Sequence, residues 1–137
     1  MSNKTYWLIG MVFFIILAIP VGYIYLLNNG NPYTKYLVEK NVPVYLEQQG
    51  YSTEEIMEAR YVEPKYLINR NFHHGHYMVK FVDEPDTTYY YGIMKKGTDV
   101  VQFCEKDLLT GGGVTHTITI TETIHSEENC VYSLENR

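Results

Sequence analysis

His76-Tyr77-Met78-Val79-Lys80-Phe81-Val82 and, beyond the turn Asp83-Glu84-Pro85-Asp86, Thr87-Thr88-Tyr89-Tyr90-Tyr91-Gly92-Ile93-Met94 decide the fold. Both stretches have period two. Tyr77, Val79 and Phe81 share one face of the first, with His76, Met78 and Lys80 on the other. Tyr89, Tyr91 and Ile93 share one face of the second. A turn this short between two such runs predicts an antiparallel hairpin. Lys95-Lys96-Gly97-Thr98 predicts a second hairpin loop, returning through Val100 to Cys104, and Thr110-Gly111-Gly112-Gly113 a third. Val114 to Ile124 alternates most regularly, with Val114, His116, Ile118, Ile120 and Ile124 expected on a buried face and threonines opposite.

Upstream of the strands the period lengthens. Between Tyr33 and Gln49, Leu37, Val38, Val42, Tyr45 and Leu46 fall on one helical face. Pro43 either kinks this helix or stands in the first turn of a second short one capped by Asn41, and Gly50 ends it. Ser52-Thr53-Glu54-Glu55 has capping-box spacing and predicts a helical turn from Thr53, before strand-like Tyr61-Val62. Asn28 to Pro32 is linker chemistry. The class is therefore α+β: one or two helices covering a four- to five-stranded antiparallel sheet.

Tyr6 to Leu27 is 22 residues without a charge. As a helix rising about 1.5 Å per residue it reaches about 33 Å, enough to cross a hydrocarbon core of about 30 Å. Tyr6, Trp7, Tyr23 and Tyr25 lie towards its ends, where rings settle among headgroups. A cleaved signal peptide would have a shorter apolar core and a small-residue cleavage site, and here the only Ala of the run is Ala18, inside it. The run reads as an uncleaved anchor that meets the lipid bilayer through residues 6–27. Lys4 precedes it, and the next basic residue, Lys35, follows well beyond. Residues 1–5 are expected in the cytoplasm and the domain 33–137 outside, after the linker 28–32.

Charge narrows the function. Residues 28–137 carry 16 acidic and 10 basic side chains. That sign excludes a nucleic-acid surface, which needs Lys and Arg to replace phosphate counterions. The chain has fourteen Tyr and five Phe, mostly beyond the apolar run, and these give the domain material for a core. The cysteines, Cys104 and Cys130, are an even pair in an expected exterior domain, which predicts a disulfide pinning the C-terminal tail to the sheet. Their spacing is not that of a redox motif.

Candidate chemistry is sparse. His74 and His76, in Asn71-Phe72-His73-His74-Gly75-His76-Tyr77, would project from one face of an extended chain. That is the spacing two imidazoles need to share a metal, with His116 or His125 to complete the set. Gly111-Gly112-Gly113 has neither the helix nor the Lys of a phosphate loop. No catalytic residue and no cofactor emerges, and the protein reads as a non-enzyme. Tyr89, Tyr90 and Tyr91 place rings on both faces of one strand and form a candidate recognition surface. The leading expectation is a protein- or peptide-binding module at the cell surface. The alternative is a metal-binding protein using His74 and His76.

The anchor, Asn31-Pro32-Tyr33-Thr34-Lys35-Tyr36-Leu37, Gly50-Tyr51-Ser52, and the strands around His74-Gly75-His76-Tyr77 and Thr88-Tyr89-Tyr90-Tyr91-Gly92 resemble a family of short, single-pass membrane-anchored proteins of Gram-positive bacteria, known as a domain of unknown function. The resemblance implies an extracytoplasmic domain and brings no catalytic residue. The order of helix and sheet is also similar to cystatin-like and PepSY-like modules, several of which bind proteins.

Overall fold

The structure is a computed structural model that describes residues 2–119 and 123–137. It divides into two compact units, residues 1–32 and 33–137. The first is the helix α1 (Asn3–Asn29), in which Ser2 accepts a hydrogen bond from the Lys4 amide and Gly30, at φ 75°, caps the far end. Pro20 lies inside α1. None of its side chains is buried, and it is long and apolar enough to span a membrane.

The second unit opens with α2 (Pro32–Gln48), a single helix that runs through Pro43. Of the two alternatives at Pro43, separate helices are thus excluded. Asn41 donates from its side chain to the Leu37 carbonyl, 2.7 Å, one turn before the proline. α2 ends in a Schellman motif: the Tyr51 amide donates to the Leu46 carbonyl, the Gly50 amide to that of Glu47, and Gly50 takes φ 95°. Glu55 accepts from the amide and hydroxyl of Ser52, at 2.7 and 2.8 Å. The capping box closes one turn only, because β1 (Ile56–Val62) starts immediately afterwards.

Six strands form an antiparallel sheet, more than the four or five expected: β1, β2 (His76–Phe81), β3 (Glu84–Ile93), β4 (Val100–Gln102), β5 (Lys106–Thr110) and β6 (Val114–Ile118). The extra strand comes from an interruption. β4 and β5 both lie along β3 in the order β1-β2-β3-β5-β6, with β4 beside the end of β3. Tyr91 pairs with Gln102 and Thr88 with Asp107, so Tyr89 and Tyr90 face the four residues Phe103–Lys106. This excess swings Cys104 out of the ladder. The first hairpin is also tighter than expected: Phe81 pairs with Glu84, and only Val82 and Asp83 turn.

Val38, Val42 and Leu46 of α2 pack on Tyr77, Val79, Phe81, Tyr89, Tyr91 and Ile93, the face that period two selects. The opposite face is closed as well. Ile68, Phe72 and Phe103 form a second cluster, with Tyr90, Met94, Val101 and Val131 at its margin. Gly92 admits this layer, since a Cβ there would meet the Phe103 ring at 2.3 Å.

β6 departs from expectation. It ends at Ile118, and Val114, His116 and Ile124 are exposed, while Ile120 lies outside the described residues. Alternation of β-branched residues produced a strand, but the outermost position in the sheet leaves it without a layer to face.

Candidate functional site

His74 does not reach towards His76. Its Nδ1 lies 2.7 Å from Glu63 Oε1 and its Nε2 3.0 Å from the Tyr66 carbonyl, so both ring nitrogens are engaged by the loop between β1 and β2. Tyr61 donates to the same Glu63 carboxylate. Gly75 lets the chain pass the Tyr61 ring, whose hydroxyl would lie 2.6 Å from an added Cβ. His76 is buried instead, its ring 4.8 Å from that of Phe103 and 5.5 Å from that of Tyr90. Its Nε2 has no hydrogen-bond partner among the described residues. Burial pushes its pKa down to about 4, helped by the charge of His74. His116 is exposed on β6, and His125 is held 2.7 Å from Asp83 and 3.2 Å from the Tyr51 hydroxyl. Among the described residues no group of three or more His, Cys, Asp and Glu side chains is placed to hold a metal.

The tyrosine triplet is corrected in two of its three members. Tyr89 and Tyr91 are wholly buried under α2 and offer no recognition surface. Only Tyr90 remains partly open, its hydroxyl donating to Asp107 at 2.7 Å. Burial and the Asp107 carboxylate hold its pKa above the ordinary tyrosine value. Tyr90 lies in a hollow of about 380 Å³ on the second sheet face, where His76, Phe103 and Asp107 also line the wall.

A polar network lies beneath the tail, and no local pattern in the sequence announces it. Gln102, fully buried, donates to the Tyr91 hydroxyl and the His125 carbonyl and accepts from the Glu127 amide. Glu127 accepts from the Tyr45 hydroxyl at 2.7 Å, and burial raises its pKa. The His125 ring stacks on Phe81 with centroids 3.8 Å apart. Farther on, the tail runs beside β4: the Val131 amide donates to Gln102 and the Cys104 amide to Val131. Cys104 and Cys130 are joined there, with Cα atoms 5.0 Å apart. Glu105 then accepts from the amides of Ser133 and Leu134. These residues fasten the tail rather than form a reactive centre.

A cleft of about 550 Å³ lies between the C-terminal half of α2 and β1. Val44, Leu46, Tyr51, Ile56, Ala59 and Tyr77 give it an apolar lining, and Glu47 a negative edge. Ala59, opposite Val79 in the register, contributes only a methyl group to its wall. A small residue at an inward strand position was the only sequence signal for it.

No curated protein and no solved structure gives a significant match. The family model described as "Protein of unknown function (DUF3139)" matches residues 3–91, from α1 to Tyr91 in β3. An apolar helix followed by this α-then-β unit thus carries a family signature over most of its length, and the chain belongs to the DUF3139 family.

Proposed function

We propose that the protein is a membrane-tethered, extracytoplasmic binding module. Residues 1–5 form a cytoplasmic tail, residues 6–27 an uncleaved single-pass anchor, residues 28–32 a linker, and residues 33–137 the domain that meets a protein or peptide at the cell surface. The observation that carries this reading is that α1 buries no side chain while residues 33–137 close a core of their own. An apolar surface of that extent is not tolerated in water. Lys4 before the span favours a cytoplasmic N-terminus. The Cys104–Cys130 pair suits an oxidising exterior. The binding role draws on the open cleft between α2 and β1.

Photo-cross-linking from Thr53, at the cleft, and from Gly112, on the remote β5–β6 loop, tests this in intact cells. A discrete adduct from Thr53 and none from Gly112 is expected. The absence of any discrete adduct from either position would count against a binding module.

A further inference from the structure

We propose that the cleft beside β1 receives an extended peptide segment as an added strand, seating one large apolar side chain against Ala59 and carrying basic residues on either side. This rests on the binding-module reading and specifies its partner. β1 ends the sheet: it pairs with β2, and no described strand pairs with its other side. From Glu58 to Val62 the ladder with β2 is regular, so the far edge of an ordinary strand length has no strand partner among the described residues. A strand added here would place alternate side chains level with Ala59, at about 4.5–5.5 Å between Cβ atoms, over the cleft. Backbone hydrogen bonds then supply affinity and the cleft supplies selection, the two parts of recognition by strand addition.

The cleft's volume, about 550 Å³, lies within the ~300–1,000 Å³ typical of ligand pockets. Its lining has no Lys or Arg, Glu47 stands at its edge, and Glu54 and Glu55 follow the lining residue Thr53. Glu55 is ionised at neutral pH, its pKa lowered by the hydrogen bonds from Ser52. This charge selects a basic partner and opposes a second copy, which would bring the same acids to the same rim.

The test uses the full chain in detergent micelles and a fluorescent nine-residue peptide alternating Val and Thr about a central Phe, with Lys at both ends. A second peptide has the same side chains but is N-methylated at alternate amides. Saturable binding of the first is expected, with at least tenfold weaker binding of the N-methylated form and at least tenfold loss on Val44→Lys. Val44 is half exposed, so that variant should keep the wild-type melting temperature, read by circular dichroism. No saturable binding, or equal binding of both peptides, overturns strand addition. Concentration-dependent dimerisation abolished by Val44→Lys, without peptide binding, overturns it in favour of self-pairing. An adduct from Thr53 in cells combined with failure of both peptides removes this proposal and leaves the tethered module standing.

Discussion

His76 shows how one position can read as a ligand in sequence and act as a buried base in the fold. Alternation puts it opposite Tyr77, and an exposed second face would have left it free for a metal. Phe72, Phe103 and Ile68 cover that face, so its imidazole is buried against the Phe103 and Tyr90 rings, and Nε2 has no partner among the described residues. Its folded pKa, about 4, lies below the ordinary 6.5, so the unfolded chain holds the extra proton and stability falls as pH drops from about 6.5 towards 4. A shift of that size corresponds to roughly 3 kcal/mol across the window. Glu127 acts oppositely: its raised pKa contributes stability at low pH that is lost as pH rises through its folded value. Comparison with His76→Phe isolates the histidine. Urea unfolding at several pH values should show the variant at least as stable at pH 7, and gaining on wild type by roughly 2–3 kcal/mol on acidification through that window. Parallel pH curves would show that His76 does not titrate in this way. The tyrosines teach a related lesson. Period two correctly grouped Tyr89, Tyr91 and Ile93, yet it does not say which face is wet, and two of the three rings offered as surface are core.

At the scale of elements, α2 and the β2–β3 hairpin were legible because each rests on local chemistry: a 3.6-residue apolar stripe, a glycine in the left-handed region, and alternation about a turn. Three features were not legible, because distant residues create them. The split of β4 from β5 depends on Cys104 and Glu105 leaving the ladder to meet the tail. The layer over the second face depends on the 63–75 loop and Val131. The exposure of β6 depends on its outermost place in the sheet. If the second face is a true core, Phe103→Ala should cost about 3–5 kcal/mol, as much as Phe81→Ala opposite it. A cost near 0.5 kcal/mol, typical of surface positions, would contradict a two-sided core. The cystine offers another check. It spans 26 residues, and the chain-entropy model assigns about 3.5 kcal/mol to a loop of that length. Cys104→Ser with Cys130→Ser should lower urea stability by that order, and wild type under reductant should match the variant. Equal stability of reduced and oxidised protein would show that the pair does not staple the tail. The candidate site was the least legible part. Its one trace, Ala59 among larger inward residues, has meaning only once β1 is known to be the edge.

At the scale of the whole molecule, a helix with no buried side chain and a domain with its own core pose one problem, that apolar surface must leave water: residues 33–137 bury theirs against themselves, and the proposed role has α1 bury its own in lipid. Deleting residues 6–27 should therefore release a soluble domain with an unchanged unfolding midpoint, measured by circular dichroism; a domain that unfolds or aggregates would show that α1 supports its core. The arrangement in the membrane is the claim on which the proposed role depends. External protease added to sealed, wall-stripped cells tests it most directly, with distinguishable tags at the two ends of the chain. The C-terminal tag should be lost before lysis, the N-terminal tag should survive until lysis, and the protected fragment should still contain Tyr6–Leu27. A C-terminal tag protected until lysis, or a mature chain lacking Tyr6–Leu27, would contradict the account.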